Sequence, residues 1–143
     1  MPWVTPKTNW VIQPRDRYGR YNGDWFNINP DYIRIKGNLE YLAQRIGFFF
    51  RIVTLVSVPT LTTQDLVYAN HLNNIEQNID ILNESLPRPL FLPETKTWVK
   101  NGSAPSVADL NRIEQCCLQI KNAIEEQSIF VWKLPFHMSG RRF

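Results

Sequence analysis

One apolar spacing occurs three times in this chain, and it constrains the fold more than any other feature. Tyr32, Ile35, Leu39, Leu42 and Ile46 follow one another at intervals of three and four. So do Leu72, Ile75, Ile79, Leu82 and Leu86, and again Leu110, Ile113, Cys117, Ile120 and Ile124. Such intervals place side chains along one side of an α-helix. The second copy lies 40 residues after the first (Tyr32 to Leu72) and the third 38 after the second (Leu72 to Leu110), and the copies superpose without a gap. A period in that range marks an internal repeat. The expected fold is mainly α, a three-helix bundle built from one repeated helical unit.

Local signals set the expected boundaries. Ser106 and Asp109 have the form of a capping box, and Pro105 stops any helix arriving from upstream. Helix three should run from Val107 to Ser128. Thr62 and Asp65 repeat the box, and Pro87 and Pro89 follow, which gives helix two from Thr63 to Leu86. Asn29 as a cap and Pro30 at the first helical position give helix one from Pro30 to Phe48. Inside it Gly37 costs about 1 kcal/mol relative to Ala, which suggests close approach of another backbone. The polar face of helix two carries Asn70, Asn73, Asn74, Asn78 and Asn83. Asn is a poor helix former; these residues either pack or cap other segments or simply face solvent.

The remainder divides into an extended N-terminal arm (1–29), the repeat domain (30–128) and a C-terminal tail (129–143). Pro2, Pro6, Pro14, Gly19 and Gly23 interrupt the arm. The arm is read as an accessory, whose removal leaves the bundle folded. Ile52 to Val58 is β-branched and partly alternating, so it is read as extended, with Ile129 to Trp132 as its candidate partner in one short strand pair.

Composition narrows the function classes. The chain has 143 residues, 43% hydrophobic, 20% charged and 13% aromatic, with a net charge of +3. That suits one ordinary globular domain, and the charge is too small to argue for nucleic acid by itself. No stretch is long and apolar enough for a membrane span, and the start lacks the pattern of a signal peptide. Cys116 and Cys117 are adjacent, cannot make an ordinary disulfide, and fail zinc spacing; Cys117 falls in the stripe as a small buried hydrophobe. His71 is read as a surface residue and His137 as part of the tail. No nucleophile elbow, phosphate loop, metal spacing or carboxylate pair of known form is present. No catalysis, cofactor or metal is therefore expected.

The aromatic residues point to interaction. In the arm, Trp3, Trp10, Tyr18, Tyr21, Trp25 and Phe26 alternate with Arg15, Arg17 and Arg20. That composition suits a single-stranded nucleic-acid platform and equally a protein-docking arm, the preferred reading. Lys7-Thr8-Asn9-Trp10 is echoed by Lys96-Thr97-Trp98, so the repeat has two parts: a Lys-Thr-Trp lead-in and then a capped helix. The second copy lacks the tryptophan, and in the first about ten extra residues separate lead-in from helix. Trp10 and Trp98 should pack against a helix start. Arg112 corresponds to Asn74 and Arg34, and Glu114 to Glu76 and Lys36. Arg112 and Glu114 are two residues apart and cannot face each other. Arg34, Arg112 and Glu114 are candidate polar locks to a loop or a neighbour, or solvated charges. Trp25, Trp132 and Phe136 complete the candidate interface residues.

Trp98 followed by Asp109-Leu110-Asn111-Arg112-Ile113-Glu114 and an amphipathic helix resembles a module of tail and baseplate structural proteins from phages and prophages of Gram-positive bacteria. The first copy, Trp10 with Asp31-Tyr32-Ile33-Arg34-Ile35-Lys36, is similar, with Ile33 in place of Asn and Lys36 in place of Glu. The second, His71-Leu72-Asn73-Asn74-Ile75-Glu76, departs further, losing Trp and Arg. The resemblance implies a virion structural protein of the tail, made in the host cytoplasm. It also implies other tail or baseplate proteins and further copies of this chain, as a symmetric homo-oligomer, for partners. Neither membrane nor nucleic acid is an expected partner. The alternatives are a nucleic-acid-binding module using the basic aromatic arm and a tail-fibre assembly chaperone absent from the particle.

Overall fold

In the computed structural model of the chain, which describes residues 3–11, 26–102 and 105–139 with side chains as far as Ile129, three helices carry the three stripes. They are α1 (Ile33–Phe49), α2 (Ala69–Glu84) and α3 (Val107–Ser139), and a π-helical turn, Ile28–Tyr32, leads into α1. Ile35, Ile75 and Ile113 are all buried. They share one core with the later stripe residues: Leu39, Leu42 and Ile46 on α1, Ile79 and Leu82 on α2, Leu86 just past its end, and Cys117, Ile120 and Ile124 on α3. The equivalent positions of the three copies thus form successive layers of one apolar seam.

The helices run parallel. Near their starts Arg34 of α1 bonds to Glu114 of α3, and Arg112 of α3 to Glu76 of α2. At the far end Arg51, just past α1, donates to the carbonyls of Glu84 and Ser85 at the end of α2. There it satisfies carbonyls left without helical partners. Parallel neighbours need a return path, and an extended segment supplies it before each helix. Segment one (3–11) lies along α1 and α3: Val4 meets Asn38, and Trp10 meets Asn111. Segment two (51–62) lies between α1 and α2, where Val56 meets Asn78 and Tyr32 donates to the Pro59 carbonyl. Segment three (87–98) lies between α2 and α3, where Leu90 meets Asn83, Arg88 meets Gln127, and Trp98 meets Asn73. Each segment runs against the helix direction and fills one of the three grooves of the bundle.

Equivalent residues cap the three helices. Asp109 accepts from the Ser106 N–H while the Ser106 hydroxyl accepts from the Asp109 N–H, which is the expected capping box. His71 Nδ1 accepts from the Tyr68 N–H, and Asp31 from the Asn27 N–H. His71 is therefore a buried cap rather than a surface residue.

Several expected boundaries move. Thr62 and Asp65 make their local bonds, but these hold a turn, and α2 begins at Ala69. The reason is that the stripe starts only at Leu72, so a helix begun at Thr63 would have no apolar face to bury. Asn29 stays extended inside the π turn, and α1 proper starts at Ile33. No strand occurs among the described residues, so the expected strand pair is absent there. Ile52–Val58 is extended, but its Val56 and Ser57 backbone is bonded by the side-chain amides of Asn78 and Asn74, while Ile129–Trp132 belongs to α3. The tail expected from 129 is helical through Ser139. Nothing between Ser128 and Pro135 breaks a helix, and propagating an existing helix is easy compared with starting one. Part of the arm packs into the bundle: Trp10 is only 3% exposed, and segment one lies in the groove between α1 and α3. An extended segment that docks through one indole and its own backbone shows no helical stripe in its sequence.

Candidate functional site

Two locks of the same design hold the bundle to its extended segments. In the first, the Glu114 carboxylate of α3, 1% exposed, accepts four donors. Arg34 donates from Nε at 2.6 Å and from Nη2 at 2.7 Å, Trp10 donates from Nε1 at 2.6 Å, and the Lys7 backbone N–H donates at 3.0 Å. Arg34 also reaches Asp31 at 3.0 Å. One turn earlier Asn111 grips the Trp10 backbone, accepting from its N–H at 2.8 Å and donating to its carbonyl at 3.1 Å. In the second lock, Glu76 of α2 accepts from Arg112 Nη1 at 2.7 Å, from Arg112 Nη2, and from Trp98 Nε1 at 3.0 Å. Asn73 grips the Trp98 backbone in the same two-pronged way, at 2.6 and 2.9 Å. The lysine ammoniums of the lead-ins lie over the indoles, Lys7 4.4 Å and Lys96 4.3 Å from the ring centroids, a cation–π arrangement.

The chemistry of each lock follows from burial. A buried carboxylate persists only when paired and hydrogen-bonded. Burial works against the charge on Arg34, but its bonds to Glu114 and Asp31 outweigh that and hold its pKa above the ordinary guanidinium value. At Arg112 the bond to Glu76 is the larger effect and moves its pKa the same way. Both pairs are fixed ions of a kind that grips chain segments.

The third groove lacks the design. By register its pair would be Asn74 with Lys36. Asn74 instead donates to the Ser57 carbonyl, and Lys36 pairs with Glu40 on its own helix. The lost Trp, Arg and Glu are parts of one lock, so they are missing together. Asn78 retains its two-pronged grip, on Val56 at 2.7 and 2.9 Å. Asn38, its counterpart on α1, holds Val4 the same way.

The structure thus brings Trp10, Arg34 and Glu114 into one lock and Trp98 and Arg112 into the other. Sequence reading omitted Glu76, Asn73, Asn111 and Asn38 as site residues; the register against Glu114 and the Asn-rich face of α2 were the available signals. Trp25 lies outside the described residues, and so do the side chains of Trp132 and Phe136. Cys116 and Cys117 are buried thiols, and burial pushes the Cys116 pKa up to about 11 and that of Cys117 higher still. A raised pKa opposes thiolate chemistry. An open depression of about 660 Å³ lies beside Trp98, lined by Val67, Tyr68, Leu72, Val99 and Lys100 among others. Among the described residues no cluster of three His, Cys, Asp or Glu side chains is placed to hold a metal, and no helix is long and apolar enough to cross a membrane.

Comparison with known proteins returns no matching family model, no matching curated protein and no matching solved structure.

Proposed function

We propose that this protein is a structural component of a phage tail end, at a baseplate, hub or connector, working as a symmetric homo-oligomer that binds neighbouring tail proteins. The observation that carries the reading is how the residues of the resemblance are used. Asp109 caps the helix, Leu110 and Ile113 enter the core, Asn111 grips an extended backbone, Arg112 crosses to the next helix, and Glu114 receives Trp10 and Arg34. The motif is a helix start built to hold an extended segment against its neighbour. A module of that kind suits an assembly component, because the polar side chains of its locks hold chain segments.

Exposed apolar side chains at the far end of the bundle add support. Phe48, Ile52, Phe91 and Ile129 are all more than half exposed near the ends of α1 and α2. From there α3 continues to Ser139, about a dozen residues beyond the register position of the α1 end. The test is mass spectrometry of purified phage particles from cells that carry the gene. The protein should co-purify with the tail; presence in the lysate but absence from the particles would overturn the reading and favour an assembly chaperone.

A further inference from the structure

We propose that the start of α2 is an acid-operated latch: protonation of His71 undoes its cap and frees that end of the groove between α1 and α2, while the two locks keep α3 joined to both neighbours.

The three copies of the unit give one task to unlike chemistry. Asp31, His71 and Asp109 share a register position. Each accepts a backbone N–H ahead of its helix, from Asn27 at 2.9 Å, from Tyr68 at 3.0 Å and from Ser106 at 3.0 Å. A free carboxylate keeps its charge down to about pH 4, whereas imidazole changes charge between roughly pH 5 and 8. The accepting atom of His71 is Nδ1, so the neutral ring carries its proton on Nε2. A second proton goes to Nδ1 and points at the Tyr68 N–H, and two donors then face each other. His71 is 8% exposed, so little water reaches them, and a buried donor left without a partner is costly. The cap is therefore closed while the ring is neutral and is lost as the pH falls.

The surroundings offer the imidazolium no replacement for that bond. Tyr32, from the turn into α1, meets the ring edge-on at 6.3 Å, and its hydroxyl donates to the Pro59 carbonyl. The Tyr68 ring lies at 5.6 Å. Asp65, in the turn before α2, has its pKa lowered first by the Thr62 backbone N–H and, as the smallest cause, by the charge of His71. It draws the proton onto the ring but is itself bonded to Thr62. The other charges at this end of the bundle, Arg34 with Asp31 and Glu114, and Arg112 with Glu76, are paired among themselves.

The effect is confined to one groove. The first lock joins α1 to α3 and the second joins α2 to α3, whereas between α1 and α2 the register pair is replaced by Lys36 bonded within its own helix. Fraying of the first turn of α2 uncovers Leu72 and the Tyr32 ring that packs on His71, both buried in the closed form.

Hydrogen exchange of the full chain, read by mass spectrometry at about pH 7.5 and about pH 5, on either side of imidazole titration, tests the latch. Protection is taken relative to the unstructured rate at each pH. Peptides covering 66–74 should lose about tenfold in protection at the lower pH, the size expected of a lost cap, while those covering 106–114 keep theirs. His71→Asp installs the acceptor of the sister copies, and His71→Asn installs a neutral acceptor with no proton to gain; each should remove the pH dependence. In the native chain the Tyr68 amide resonance should move upfield in step with titration of the His71 ring, a readout that needs neither variant. Equal protection at both pH values, a matching loss at the start of α3, a loss that survives in the variants, or a Tyr68 amide indifferent to the ring would overturn the proposal.

Discussion

Removing the Glu114 carboxylate tests the lock most directly. Glu114→Ala leaves the Arg34 guanidinium, 9% exposed, with its bond to Asp31, and deprives the Trp10 indole N–H and the Lys7 N–H of their acceptor. Breaking a buried ion pair by removing one member costs about 3–5 kcal/mol. Against a total stability of about 5–15 kcal/mol this is a large share. Glu76→Ala removes three bonds rather than four and no backbone donor, so it should cost about 1 kcal/mol less. Lys36→Ala, at the same register but paired with a 40% exposed Glu40, should cost about 0–1 kcal/mol. Urea unfolding followed by far-UV circular dichroism reads the series, and with a slope of roughly 2 kcal/mol per molar, Glu114→Ala should move the midpoint by about 2 M. The double variant with Arg34→Ala should cost less than the sum of its singles by about 1–3 kcal/mol. If Glu114→Ala and Lys36→Ala prove equal, the carboxylate holds nothing, and the description of the lock is wrong.

Three further outcomes follow from the same structure. Asn78→Asp should destabilise more than Asn78→Ala in the same urea assay, because it loses the donor to the Val56 carbonyl and sets a buried charge beside it. At Asp109, burial raises the pKa, but bonds from the Ser106 N–H and hydroxyl and the charge of Lys96 outweigh it, so the folded pKa lies below the ordinary value of 3.8. Its contribution is present above that value and lost as pH falls through the lower folded one, so Asp109→Asn should flatten the acid limb of a pH–stability curve. Cys116 has its folded pKa raised from 9.0 to about 11 by burial, so its contribution is complete below 9 and lost as pH rises through about 11. Iodoacetamide at pH 8 should accordingly modify Cys116 far more slowly in native protein than in urea, as followed by intact mass.

Much of the fold was legible in residue spacing. The stripes put Ile35, Ile75 and Ile113 in equivalent places, and Ser106 with Asp109 fixed the start of α3, because helical period and cap geometry are local properties of the backbone. The same local logic misplaced α2. Thr62 and Asp65 form their bonds, yet a cap without a stripe beneath it stabilises only a turn. The strand pair failed for a related reason. A run such as Ile52–Val58 must satisfy its backbone somewhere, and nothing in its own sequence says that Asn78, rather than another strand, will do so. Asn residues that weaken α2 as a helix are the ones that grip segments two and three.

Residue order alone determined three equivalent amphipathic helices and the tryptophans that lead into two of them. Only tertiary structure decided that Arg34 meets Glu114, 80 residues away, and that Arg112 meets Glu76 and not Lys36. A helical period says which side of each rod is apolar, but carries no information about which rod stands to the left or right. That lateral order selects the partner of every buried charge, and it is set when the three rods and their return segments close around one seam.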